Sequence, residues 1–338
     1  MQIERVDPRD DQAFAAWFAV LEAVELDDRP GERGWLPGEL RAQALAALVP
    51  ERDRELVLLV ARDGSGAVGA VQLELPTRDN LHLGEAFLVV LPDRRRRGAG
   101  QALLQAVQEL MRADGRMTLI AYSDEPPGRT SAASAGAGER LGFERAQTEV
   151  RRDIDLPLPA ERAAALRADC APHAAGYEIV TWRDRAPTRL LDDLAVLHQR
   201  MSTDVPLAEL EITQESFDAA RVQRHEQLAL DMGRALLGAG AVHLASGRLV
   251  AYTDMAVSLH APERAYQWNT IVLDEHRGHR LGTLVKLASL ERLSAEVPRT
   301  RMISTWNAEE NEAMIRVNDA LGARTNGRET AWQKRLAT

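Results

Sequence analysis

The feature that most constrains this chain is that it contains one unit twice. The stretch Gly84-Glu-Ala-Phe-Leu-Val-Val-Leu-Pro-Asp-Arg-Arg-Arg-Arg-Gly-Ala-Gly100 superposes without a gap on a second one, Tyr266-Gln-Trp-Asn-Thr-Ile-Val-Leu-Asp-Glu-His-Arg-Gly-His-Arg-Leu-Gly282. Val90 falls on Val272, Leu91 on Leu273, Arg95 on Arg277 and Gly100 on Gly282, an offset of 182 residues. Upstream, Gly64-Ser-Gly-Ala-Val-Gly-Ala-Val71 lies near the same offset from Ala245-Ser-Gly-Arg-Leu-Val-Ala-Tyr252, each a tight turn into a strand. Downstream, Glu139-Arg-Leu-Gly-Phe143 matches Asp319-Ala-Leu-Gly-Ala323 at an offset of 180. A repeat of that length means two domains with one grammar.

The grammar is mixed α/β. Each half opens on a strand (Gln2 to Val6; Tyr177 to Trp182) and continues through Ala/Leu/Arg/Glu-rich segments with helical spacing. Two strands around a Gly turn follow, then a short apolar strand, a Gly/Arg turn and an amphipathic helix (Gly100 to Ala113; Gly282 to Ala295). A further strand (Met117 to Tyr122; Arg301 to Trp306), a last helix and a final strand complete each half. The Pro-flanked segment 156–176 reads as a linker with a possible short helix at its centre, giving domains 1–155 and 177–338.

Composition narrows the function classes. Of 338 residues, 45% are apolar and 28% charged, so two real cores are affordable to a globular chain. A net charge of −9 disfavours a nucleic-acid binder, which needs a positive field to displace phosphate counterions. The longest apolar runs, such as Glu55 to Ala61, stop far short of a membrane span, and the N-terminus does not read as a signal peptide, so the cytoplasm is expected. Cys170 is the sole cysteine, which excludes an internal disulfide and a multi-cysteine metal site; no metal is expected.

The strand, turn and helix from Val89 to Leu104 carry readable chemistry. Glycines let backbone amides approach a ligand, and the helix that follows presents the positive end of its dipole. That arrangement suits a pyrophosphate, with Arg95 and Arg97 as countercharge. It is neither the dinucleotide fingerprint nor a P-loop, because Gly-x-Gly-x-x-Gly and a terminal Gly-Lys-Ser/Thr are missing. An inert, solvated arginine loop is the other reading of these residues by themselves.

Strand, Arg95-Arg-Arg-Gly-Ala-Gly100, amphipathic helix, strand and a last helix ending Leu141-Gly-Phe143 resembles the GNAT acyltransferase superfamily, with its Gln/Arg-x-x-Gly-x-Gly/Ala motif. The resemblance covers nearly the whole chain as two copies, in a layout similar to tandem GNAT proteins such as mycothiol synthase. It implies an α/β fold of two GNAT-like domains, each a splayed, mostly antiparallel sheet flanked by helices. It further implies acetyl-CoA as co-substrate, its pantetheine along Leu88, Val89 and Val90 and its pyrophosphate on Arg95, Arg96, Arg97, Gly98, Ala99 and Gly100. The second copy offers Ile271, Val272, Arg277, Gly278, His279, Arg280, Leu281 and Gly282 for the same purpose, with Arg280 where the family usually has a small residue. The implied activity is an N-acyltransferase on a small amine, as a monomer or homodimer without membrane or nucleic-acid partners.

Family members often carry a Glu at the start of the splayed strand as general base. Glu85 falls there, and its counterpart Gln267 cannot take a proton. Asp254 is a replacement if it faces the cleft. The tyrosine that many members use toward the leaving thiolate is replaced by Gly138 and Asn318. Asn307 and Asn311 are candidates for pantetheine amides, His276 and His279 for a cationic rim, and the loops Arg29 to Leu40 and Met201 to Glu215 for the acceptor pocket. Glu85 and the intact first motif favour catalysis in the first half, and the polar second half leaves the opposite assignment open. A CoA-binding protein without catalysis, used in sensing or assembly, is the alternative that the missing tyrosines favour.

Overall fold

The computed structural model describes residues 1–32, 34–127, 136–204 and 206–337. The first half runs β1 (Gln2–Val6), α1 (Asp11–Asp28), α2 (Pro37–Ala46), β2 (Arg54–Asp63), β3 (Gly66–Pro76), β4 (Leu83–Val90), α3 (Ala99–Ala113), β5 (Thr118–Glu125), α4 (Ala137–Arg140) and β6 (Glu144–Asp155). After α5 (Ala160–Cys170) the second half runs β7 (Tyr177–Arg183), α6 (Leu191–Asp204), α7 (Ala219–Asp231), β8 (Arg234–His243), β9 (Leu249–Ser258), β10 (Arg264–Val272), α8 (Leu281–Glu296), β11 (Met302–Ala308), α9 (Glu312–Ala320) and β12 (Arg324–Arg335).

Contacts divide the chain into two compact units whose contents do not follow chain order. The first holds Met1–Thr148, Ala208–Thr213 and Arg328–Thr338; the second holds Glu149–Leu207 and Gln214–Gly327. In the first, the strand order is β1-β2-β3-β4-β5-β12, antiparallel except for β4 beside β5. In the second it is β6-β11-β10-β9-β8-β7, antiparallel except for β10 beside β11. Each unit therefore takes its strand beyond the parallel pair from the other half of the sequence: Arg328–Arg335 lie on β5, and Glu149–Asp155 lie on β11. The division by chain order at 155 and 177 and the division by contacts differ at these strands. The segment 156–176 carries α5, which packs on α8 inside the second unit.

Burial explains the apolar runs. On β2, Leu56, Leu58 and Val60 pack against Phe14, Trp17, Leu21 and Leu40 of α1 and α2. Val57, Leu59 and Ala61, pointing the other way, meet Leu103, Val107 and Met111 of α3. Both faces are covered, so the run shows no polar alternation. The second unit repeats this sandwich, with Tyr252 and Ile271 under Leu194 and Leu197 of α6 on one face, and Met255, Val257 and Ile303 under Leu290 and Leu293 of α8 on the other.

Candidate functional site

The first unit opens a wedge in its sheet. The parallel pairing of β4 with β5 runs from Leu83↔Thr118 to Ala86↔Ala121 and ends there. Beyond it, β4 continues along β3 to Gly69↔Val90, and β5 continues along β12 to Arg328↔Glu125. The amide of Leu91 donates to Val68 O on β3, so by alternation the N–H and C=O groups of Val90 and Leu88 point into the wedge. Those of Val89 face β3, and the Val89 side chain is buried against α1.

At the open end of the wedge the chain turns into α3. Gly98 caps the helix in the left-handed region (φ 90°), no side chain caps its first amides, and a Cβ at Gly98 would meet nothing within 4 Å. Those amides are left for another partner, and the geometry fits an anion. Arg96 and Arg97 are exposed beside it. Arg95 is not: its Nε donates to Val90 O at 3.1 Å and its guanidinium lies 3.8 Å from Asp28. The first left-handed position of the loop is Arg96 itself, at φ 63°.

The second unit repeats this construction from the end of its strand through the turn into the helix. Its β10–β11 pairing stops at Tyr266↔Ser304 while β10 runs on to Val272. Leu273 N donates to Val250 O, and Arg277 Nε to Val272 O at 3.4 Å, the counterparts of Leu91 and Arg95. A Cβ at Gly282 would stand 3.8 Å from Val272 Cγ2, and one at Gly100 stands 3.6 Å from Val90 Cγ2. Arg280 occupies the cap position, at φ 56°.

The chemistry beside the two wedges differs. Glu85 is half-buried on β4, opposite Glu74, and Arg54 Nη1 donates to Glu74 at 3.0 Å and to Glu85 at 3.2 Å. Phe87 and Tyr122, 41% and 37% exposed, lie on the same face farther out along β4 and β5. The end of α1 reaches both sides of this wedge: Asp28 toward Arg95, and Arg29 Nη2 to Asp124 of β5 at 2.6 Å. One turn earlier, burial raises the Glu25 carboxyl to about 7, against a hydrogen bond from the Trp35 amide. Phe87, Asp124 and Glu25 escaped sequence reasoning; only the notice given to the loop from Arg29 pointed there. Of the other loop, Ala208–Thr213 lies at the opposite end of β4 and β5, where Glu211 accepts from Thr118 and Thr213 pairs with Asn80.

In the second unit Gln267 is buried in a bulge of β10, its amide donating to Thr253 Oγ1 at 2.7 Å and to Asp254 O at 2.6 Å, while Trp268 is pushed out to 41% exposure. Asp254 accepts from the Asn269 amide at 2.8 Å, and desolvation raises its carboxyl to about 6. Lys286 is fully buried, donating to Asn318 Oδ1 at 2.6 Å, and Asn318 in turn donates to Asn307 Oδ1. Burial lowers the Lys286 ammonium to about 7. Asn311, expected beside pantetheine, uses its side-chain oxygen to cap α9 through Met314 N. The expected cationic rim is instead a knit cluster: His276 is hydrogen-bonded to the Tyr177 hydroxyl at 2.9 Å, His279 to His173 O at 2.9 Å, and desolvation lowers the His276 pKa.

Among the described residues no cluster of His, Cys, Asp or Glu is arranged to hold a metal, and no helix is long and apolar enough to cross a membrane.

Residues 20–133 match the family model "Acetyltransferase (GNAT) family". Curated relatives are mycothiol acetyltransferases. That of Acidothermus cellulolyticus is 35% identical over 111 residues, 32% of this chain and 31% of the relative. That of Thermomonospora curvata is 35% identical over 133 residues, 36% and 37% of the two. The matches thus span about a third of these relatives' length. Over 100% of this chain and 99% of the other, the fold is similar to a tandem GNAT protein from the clavulanic acid biosynthesis pathway, with 29% identity and a TM-score of 0.80.

Proposed function

For a chain that carries a GNAT acetyltransferase domain within a tandem GNAT fold, we infer an acetyl-CoA-dependent N-acyltransferase that acts on a small amine by direct attack on the thioester. The observation that carries this reading is the wedge of the first unit, open beyond Ala86↔Ala121 and ending at the uncapped start of α3. In it the pyrophosphate rests on the amides around Gly98 to Gly100, and pantetheine pairs with the inward-facing backbone of Val90 and Leu88. Arg96 and Arg97 supply countercharge.

Glu85 takes a proton from the acceptor ammonium, because a protonated amine has no lone pair for attack. The nitrogen then forms a bond to the thioester carbonyl carbon, backbone N–H groups at the wedge steady the charge gathering on oxygen, the nitrogen loses its second proton to water, and the carbon–sulfur bond breaks with its electron pair on sulfur. The acceptor approaches on the face that holds Glu85, Phe87 and Tyr122, where Glu74, Glu85 and Asp124 suit a cationic substrate. The family model lies in this half, which supports placing the chemistry here.

Release of free thiol from acetyl-CoA across a panel of small amines tests the reading. Amine-dependent release supports it. CoA binding without turnover on any amine overturns catalysis in favour of a sensing or assembly role, a reading supported by the absence of tyrosine at both Gly138 and Asn318.

A further inference from the structure

The two faces of the first unit's sheet divide the labour at the wedge. Val89 packs against α1, so Phe87 and Glu85, two and four residues earlier on the same period, share that face. On β5, Leu119 and Ala121 belong to the α3 face, which places Ser123 there too, two residues beyond the last β4–β5 pair. Asp124, pointing oppositely, meets Arg29. Base and Ser123 therefore stand on opposite faces where the wedge begins to open. In the tetrahedral intermediate the incoming nitrogen and the departing sulfur occupy different corners of one carbon, so a donor on the face opposite the base can reach sulfur without blocking the amine.

The Ser123 hydroxyl is oriented. Trp332 Nε1 donates to Ser123 Oγ at 2.8 Å. An indole N–H is a donor only, so the serine oxygen accepts and its own hydrogen points elsewhere. Thr330, its partner across the β5–β12 ladder, has not taken that hydrogen, because Thr330 Oγ1 is buried without a hydrogen-bond partner. Among the described residues the hydroxyl hydrogen has no acceptor.

The same indole accounts for Gly138. A Cβ there would stand 2.4 Å from the Trp332 ring, so glycine makes room for the group that orients Ser123. Trp332 arrives on β12, from the far end of the chain.

We propose that Ser123 is the hydrogen-bond donor to the departing sulfur in the first unit; the assignment rests on the acyl-transfer reading above. Glu85 holds the first proton from the ammonium; as the N–C bond forms, the nitrogen sheds its second proton to water and the C–S bond breaks with its electron pair on sulfur. Ser123 keeps its own proton and donates a hydrogen bond to the thiolate, which is then protonated by water. Trp332 acts through Ser123 and is a positioning residue.

Two measurements on the full chain test this. The first titrates the thiol of bound CoA by its ultraviolet absorbance, free thiols ionising near about 8.5. Ser123→Ala should weaken that ionisation about tenfold relative to wild type, and Ser123→Thr should restore it, since a hydrogen bond to a charged group is lost and regained. The second compares acetyl-CoA with the acetyl thioester of an acidic aryl thiol. Ser123→Ala should lower kcat roughly 10–100-fold on acetyl-CoA with KM unchanged, and hardly at all on the aryl thioester, whose thiolate needs no help. An unshifted bound thiol, or equal losses on both donors, overturns the role of Ser123. Failure of the wild type to bind CoA overturns both this role and the proposed function. A shifted thiol in a protein that acetylates no amine upholds Ser123 as a thiolate ligand and overturns only the acyl-transfer reading.

Discussion

In the first unit the two left-handed positions of the loop are Arg96, at φ 63°, and Gly98, at φ 90°; in the second they are Gly278, at φ 83°, and Arg280, at φ 56°. Each copy places one glycine and one arginine in a pair of strained positions, and places them oppositely. The backbone path survives the exchange, along with the bond from Arg95 or Arg277 back to the strand. The loop's route is thus dictated by the strand before it and the helix after it, and a particular glycine is secondary. What diverges is the lining of the wedge. The first copy leaves a carboxylate, an arginine and two exposed aromatic rings beside it, while the second draws Gln267 into a bulge and fills its surroundings with Lys286, Asn318 and Asn307.

The exchange of strands makes the sharpest cut between the copies. Expressed alone, residues 1–155 lack β12, and so lack the neighbour of β5 and the Trp332 indole of the first core; such a fragment should fail to give a cooperative thermal transition, and one as sharp as that of the full chain would make the first copy self-sufficient.

Glu85→Gln should reduce kcat by roughly 10²–10⁴ with CoA affinity unchanged, whereas Asp254→Asn should change turnover little. Normal turnover in the first variant and its loss in the second, with a wild-type rate that falls as pH drops through about 6, would move the chemistry to the second copy.

For donor binding, Gly100→Glu should weaken CoA about 10–100-fold in calorimetry, by setting a carboxylate against the pyrophosphate, and Gly282→Glu should cost less. The space at both sites admits a Cβ in ordinary contact, so the comparison reads charge and not collapse.

Lys286 separates the copies by pH. Its folded-state pKa of about 7 lies below the 10.5 of an ordinary lysine, so between those values the unfolded chain holds a proton that the folded one has shed. Stability contributed at this site therefore rises with pH across that window. Lys286→Met should flatten the rise in urea midpoints; an unchanged slope would show that the ammonium is not depressed.

The smallest effect expected is in the loops. Arg96→Gly and Arg280→Gly should each relieve left-handed strain and shift the unfolding free energy by about 1 kcal/mol or less, in the stabilising direction. A clear loss in either would mean that the arginine side chain holds its loop in place.

Much of this was legible in residue order. The repeat rests on patterns that survive divergence because they are local: an apolar strand, left-handed turn positions, and a helix whose first amides stay uncapped. Glu85 could be found because it sits at a fixed distance from that turn. Asp254 could only be named conditionally, since the burial that raises its carboxyl, against the hydrogen bond from Asn269, is announced by no spacing. Ser123 and Trp332 were invisible as a pair, 209 residues apart in sequence and 2.8 Å apart in space. A strand's two-residue period tells which side chains share a face, so sequence alone determined two copies of one α/β unit and the order of their elements. Which strand closes each sheet is decided by pairing energies between segments far apart in the chain. Only the tertiary structure could assign β12 to the first unit and residues 149–155 to the second, and with them the indole that stands where Gly138 makes room.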